Sequence, residues 1–238
     1  MSSATAVRNE SAAHDLLQTA HEQGYRFPEG FSGFSAEVTY EDPTTRSVGA
    51  VAVRAPRDVM LELDASEGVA SWLRQEMSSM AGHRWPTTYE ASDGRYALTL
   101  DGEANDPRGR LIQFHHDPFD SSYRIREGRI VQVNRRMGQV RFSINILEHV
   151  QTADGRLLPT YFTVSFWDVS SGRLTRADGY TDRYVVVDGV LLPESRRVLS
   201  SDDDGVTVRS LTLTAHQLLG GTGETKAARA ERSNSHAG

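Results

Sequence analysis

Cysteine is absent from the 238 residues. That removes disulfides, thiolate nucleophiles, cysteine-ligated zinc and iron–sulfur clusters together. Lysine is nearly absent as well. Lys226 is the only one, and it stands in the C-terminal stretch, so the folded part offers neither a Schiff-base lysine nor a phosphate-loop lysine. No run of about 18 apolar residues occurs, which excludes a membrane-spanning helix. No basic region followed by an apolar one opens the chain, so no signal peptide is expected and the expected location is the cytoplasm. The hydrolase elbow G-x-S-x-G, the zinc motif H-E-x-x-H and a dinucleotide G-x-G-x-x-G before a helix are all missing. A net charge of −6 gives the chain no general attraction for nucleic acid.

What is present is β-structure. Hydrophobic residues make up 38%, enough for a core. The stretch Arg129–Ala215 reads as five long strands joined by tight turns. Val140, Phe142, Ile144 and Ile146 fall on one face and Arg141, Ser143 and Asn145 on the other, the period-2 pattern of a half-buried strand. Leu158, Thr160, Phe162, Val164 and Phe166 repeat it. Asp154-Gly155, Asp188-Gly189 and Asp204-Gly205 are turn signals, because Asp bonds its own backbone and Gly takes positive φ without strain. Strands this close together pair antiparallel. Further strands are expected at 35–40, 47–54, 58–63, 95–100, 109–116 and 122–126. Two helices are expected. Over Val7–Gln23, Ala13, Leu16, Leu17 and Ala20 form an apolar stripe that Gly24 ends. After Ser66, a good N-cap, Val69, Trp72, Leu73, Met77 and Met80 form a broader stripe that Gly82 ends.

The predicted architecture is α+β: a strongly curved antiparallel sheet, half-barrel or open barrel, with one or two helices covering the concave face. Residues 1–6 are expected to be flexible, 7–218 to form a single domain and 219–238 to be a disordered tail. A cavity between sheet and helix is the default site, with Trp72, Met77, Met80, Trp85, Phe114 and Phe166 as candidate ligand-binding residues. A Met- and Trp-lined helix face is ordinary core, or the adaptable wall of a cavity, since Met repacks cheaply.

His83-Arg84-Trp85-Pro86 leaves the end of the second helix with Tyr89 close behind, the most site-like cluster in the sequence. His83 reads as a charged helix cap or as a functional group. His14 and His21 read as solvated or packing residues. Most carboxylates lie in turns, and Asp168, Asp182 and Glu194 are the strand-borne exceptions, for which a salt bridge along or across the strands is the ordinary explanation.

Met80-Ala81-Gly82-His83-Arg84, Val133-Asn134-Arg135, the run from Leu158-Pro159 through Trp167-Asp168, Asp182-Arg183-Tyr184 and Leu192-Pro193-Glu194-Ser195-Arg196 resemble an uncharacterised bacterial and plastid family, the domain of unknown function number 3386. The resemblance covers most of residues 10–217. The family pattern has a histidine where Asn134 stands, and it carries no established reaction. The layout is also similar to the lipoprotein-carrier type of half-barrel, which implies acyl chains held in the concave face.

Three functions follow in order of preference. The first is a cofactor-independent enzyme of cyclase, isomerase or lyase type acting on a small, mostly apolar molecule, with His83 or Tyr89 as general acid/base and Arg84 or Arg135 for electrostatic stabilisation. The second is a non-catalytic carrier or binding protein for a hydrophobic ligand. The third is a metal enzyme using His83, one of His115 and His116, and His149. Adjacent His115 and His116 point to opposite strand faces, so both cannot bind one metal.

Overall fold

The computed structural model describes residues 8–220. The flexible segment expected at residues 1–6, and the expected tail beyond Gly220, lie outside the described residues.

Helix α1 is Ser11–Gln23 and helix α2 is Glu67–Gly82. The strands are β1 (Phe34–Glu41), β2 (Arg46–Ala55), β3 (Asp58–Leu63), β4 (Ala97–Asp101), β5 (Arg110–His115), β6 (Ser122–Arg126), β7 (Arg129–Met137), β8 (Val140–Gln151), β9 (Leu157–Asp168), β10 (Leu174–Val187), β11 (Val190–Asp202) and β12 (Gly205–Leu218). All twelve join one antiparallel sheet in the order β3-β2-β1-β12-β11-β10-β9-β8-β7-β6-β5-β4. The sheet is open, with β3 and β4 as its edges. The chain spans those edges through α2, so neighbours in sequence are neighbours in space everywhere else except where β1 pairs with β12. No helix among the described residues is long and apolar enough to cross a membrane.

Two details differ from the sequence reading. Arg129 to Leu218 holds six long strands rather than five, and the fourth of them, β10, begins at Leu174. Its first half, Leu174-Thr175-Arg176-Ala177-Asp178-Gly179, lacks apolar alternation, and pairing with β9 on one side and β11 on the other supplies what propensity does not. Helix α1 starts at Ser11, because the residues before it are engaged as backbone partners of an edge strand. Asn9 Oδ1 accepts from the Leu98 amide (2.9 Å), Glu10 N donates to the Leu98 carbonyl (2.8 Å), and Glu10 Oε2 accepts from the Leu100 amide (3.2 Å). Edge strand β4 is thereby shielded from pairing with another chain. Helix α2 starts where Ser66 predicts, its Oγ accepting from the Val69 amide at 3.3 Å.

The core is in two parts. Leu73, Met77 and Met80 of α2 pack on Phe34, Val38, Val51, Val53, Leu211 and Leu213. Ala13, Leu17 and Ala20 of α1 pack on Leu98, Ile112, Phe114, Tyr123 and Ile125. Both helices lie on the same face of the sheet. The register runs Tyr40–Leu211–Arg196–Asp182 from one side, and Asp178–Val164–Ile144–Val133–Tyr123–Ile112 from the other. Asp182 and Asp178 stand four residues apart on β10 and so share that face. Helix α2 packs mainly on β2 and β3, and α1 on β4, β6 and β7. The middle of the face, β8 to β10, lies between them.

Candidate functional site

On that middle ground the sheet presents Phe142, Ile144 and Ile146 from β8, and Phe162, Val164 and Phe166 from β9. The register pairs them as Phe142–Phe166, Ile144–Val164 and Ile146–Phe162, so all six share one face. None belongs to either core cluster. Five are half-buried, and Val164 is buried. Phe142 and Phe166 meet at 6.1 Å between ring centroids, and Phe162 stacks on Tyr180 of β10 at 4.7 Å. Alternation in the sequence is what builds this strip, and the position of the helices is what leaves it open.

Polar groups border the strip. On the β10–β11 side lies a buried ionic network. Arg196 holds Asp182 through Nε–Oδ1 (2.7 Å) and Nη2–Oδ2 (2.6 Å), and its Nη1 donates to Glu76 of α2 (2.8 Å). Arg84 lies 3.8 Å from Asp182 and donates to the Met80 carbonyl and to the Tyr184 hydroxyl. Tyr184 donates to the Pro159 carbonyl (2.9 Å) or to Asp182 (3.1 Å). Burial pushes the Glu76 carboxyl upward despite Arg196, and pushes the Tyr184 phenol upward. Along β10, Asp178 pairs with Arg176 at 3.2 Å, while its Oδ1 is buried without a partner. Arg176 lies over the Phe166 ring at 4.2 Å. On the β7 side, Arg135 stands opposite Phe142 in register. It donates to the Tyr123 hydroxyl, and its guanidinium lies near the rings of Phe119 (5.5 Å) and Tyr123 (5.8 Å).

His83 ends α2 as its C-cap residue and is exposed. Its pKa is lowered, first by the protein packed beside the imidazole and then by the charges of Arg84, Arg135, Arg196 and Arg26. Both effects favour the neutral imidazole over a protonated cap. Tyr89 is elsewhere, in the α1 cluster, its hydroxyl 2.7 Å from His14 Nδ1, and His14 Nε2 in turn lies 2.8 Å from Asn9 Oδ1. Among the described residues no hydrogen bond joins the side chains of any two of His83, Arg84, Tyr89 and Arg135.

Of the proposed ligand-binding residues, Phe166 lies in the strip. Met77 and Met80 are wholly buried under α2, and Trp72 packs on Tyr40 at 5.4 Å in the same cluster. Trp85 packs against Phe27 and Phe31 (6.0 and 5.2 Å), and Phe114 against Tyr123 (4.6 Å) under α1. Among the described residues no three His, Asp or Glu side chains converge to hold a metal ion. His115 on β5 and His149 on β8 are three strand spacings apart across the sheet, about 14 Å, and further apart still along it, and His115 Nε2 is 2.8 Å from the Thr99 hydroxyl.

The reverse face of the sheet carries polar side chains together with exposed apolar ones such as Met60, Tyr161 and Leu199. A cavity of about 560 Å³ opens there over Gln113, Ser122, Asn134 and Ser143, with Arg136, Arg141 and Trp167 at its rim. Its floor is tied internally: Ser143 Oγ donates to Asn134 Oδ1 (2.5 Å), and Asn134 Nδ2 to Ser122 Oγ (3.2 Å).

The sequence reading did not bring Glu76, Arg84, Asp182, Tyr184 and Arg196 into one network. The available signal was the pair Asp182 and Arg196, on either side of the Asp188-Gly189 turn.

In structure, the chain is similar to a LolA superfamily protein from Nitrosomonas europaea, at 13% identity over 87% of this chain and 93% of that one, with a TM-score of 0.33. It is similar to a putative outer membrane lipoprotein-sorting protein domain from Vibrio parahaemolyticus at 10% identity over 91% and 96%, TM-score 0.37. It is also similar to a DUF1329 family protein from Desulfovibrio piger at 8% identity over 90% and 95%, TM-score 0.29. No curated protein matches it in sequence. The family model described as "Protein of unknown function (DUF3386)" matches residues 8–219, and the chain belongs to that family.

Proposed function

We propose that the protein is a non-catalytic binding or carrier protein for a hydrophobic ligand, held on the β8–β9 strip between the two helices, with the helix-bearing face as the concave one. The single observation that carries this reading is the strip itself. Six large apolar side chains share one face, belong to neither core cluster, and stand on strands other than those the two helices mainly pack on. An apolar surface of this kind in the middle of a folded sheet is a binding surface by default. Laying a chain of about ten methylenes on it is worth on the order of 8 kcal/mol at about 0.8 kcal/mol per buried CH₂. That is of the same order as the association cost of about 4–15 kcal/mol.

The side chains around the strip support binding more than catalysis. Arg84 is committed to the ionic network, Tyr89 to His14, and His83 touches neither. A cyclase, isomerase or lyase would need an acid or base and a stabilising cation converging on one point.

The test is native mass spectrometry of freshly purified protein against its denatured mass, followed by titration with an apolar fluorescent probe. A co-purified organic mass, or saturable probe binding at about one site per chain that Phe162→Asp weakens at least tenfold, is the expected result. Absence of both overturns the reading, and turnover of the bound molecule would replace it with the enzyme reading.

A further inference from the structure

We propose that Arg135 is the headgroup anchor of this site, and that the hydrophobic ligand is a single-chain amphiphile with an anionic head, a carboxylate or phosphate monoester. The inference rests on the binding reading above and names the chemistry of its ligand. Three strand arginines border the strip on its own face: Arg135 on β7, Arg176 on β10 and Arg196 on β11. Two of them are paired. Arg196 is saturated by Asp182 and Glu76, and Arg176 has Asp178 at 3.2 Å. Arg135 has no carboxylate within ion-pair distance among the described residues. Among the described residues its one side-chain hydrogen bond goes to the Tyr123 hydroxyl, and its Nε is buried without a partner. Asp93 feels its charge but does not touch it.

A partly buried cation without a counter-ion is costly, and the fork of a guanidinium matches a carboxylate or phosphate. The Phe119 and Tyr123 rings, 5.5 and 5.8 Å from the guanidinium carbon, hold its plane in place. Directly across the ladder from Arg135 stands Phe142, and beside that Phe166. A head on Arg135 therefore continues into a chain on the strip without a break.

The experiment is titration calorimetry of the full chain with three probes of one chain length: dodecanoate, dodecyl phosphate and dodecanol. Wild type is expected to bind at least one of the anions about tenfold or more tightly than the alcohol, the ratio a charge-assisted pair supplies, and the stronger of the two identifies the head. Arg135→Gln should bring that anion to within about twofold of the alcohol, and Arg135→Lys should keep part of the preference. Equal binding of all three by wild type, a comparison that needs no variant, overturns the headgroup inference and leaves the binding reading standing. So does an anion preference that persists in Arg135→Gln. If wild type binds none of the three, the binding reading fails and the headgroup inference with it.

Discussion

Asp182 and Arg196 face each other on β10 and β11, joined by two parallel hydrogen bonds of 2.7 and 2.6 Å, with each residue 2% exposed. The same arginine reaches across to Glu76, so one guanidinium ties helix α2 to the sheet. Removing it leaves Glu76 without a cation and Asp182 with only Arg84, at 3.8 Å. Arg196→Ala is expected to cost about 3–5 kcal/mol in chemical denaturation. A loss below about 1 kcal/mol would show that the carboxylates are hydrated in the folded state.

Glu76 bears the cost of that arrangement. Burial raises its pKa against the pull of Arg196, and Asp182 and Asp178 raise it further. A carboxyl whose folded pKa lies above its unfolded value stabilises the fold fully below the unfolded value, and that stabilisation is lost as pH rises through the folded one. Above the unfolded value, holding Glu76 charged in the fold therefore costs stability. Glu76→Gln keeps an acceptor for Arg196, and should match or exceed wild-type melting temperature at pH 7, with the difference shrinking below about pH 4.5. A marked drop at pH 7 would mean that the ion pair outweighs burial.

His21 works in the opposite direction. Its imidazole is buried in α1, and desolvation followed by the Arg26 charge lowers its pKa. A histidine kept neutral by the fold contributes stability above its unfolded pKa of about 6.5, lost as pH falls through that value toward the folded one. His149 shifts the same way. Thermal melts from pH 7.5 to pH 5 should show falling stability below about pH 6.5, less steep in His21→Gln. A flat wild-type profile contradicts the assignment.

Strip and core should separate cleanly under mutation. Leu73 is fully buried beneath α2, so Leu73→Ala should cost about 2–5 kcal/mol of stability. Ile144 is only half-buried on the strip, so Ile144→Ser should cost far less stability and weaken binding of an apolar probe instead. Equal losses of stability would place Ile144 in the core.

Much of this was written in local pattern. The period-2 alternation in β8 and β9 fixes which side chains share a face, and Asp-Gly at 188–189 and the other turns fix an antiparallel meander. Ser66 and the spacing of Leu73, Met77 and Met80 fix α2 and its buried side. Each of these depends on residues a few positions apart, which is why they can be read from a linear text. The start of β10 could not be read so, because Leu174–Gly179 is a strand only by virtue of its neighbours.

Tertiary structure alone decided the site. Counting outward from the Asp188-Gly189 turn, where Val187 pairs with Val190, sets Ser195 opposite Asp182. A bulge at Glu194, beside a proline that the ladder tolerates there, moves the register by one and puts Arg196 opposite Asp182 instead. Whether an apolar strand face becomes core or open strip depends on where a helix, held by contacts far away in sequence, comes to rest. Helices α1 and α2 settle on the two halves of the sheet and leave β8 and β9 between them. The residues of the strip are thus a property of the sequence, and their accessibility is a property of the fold.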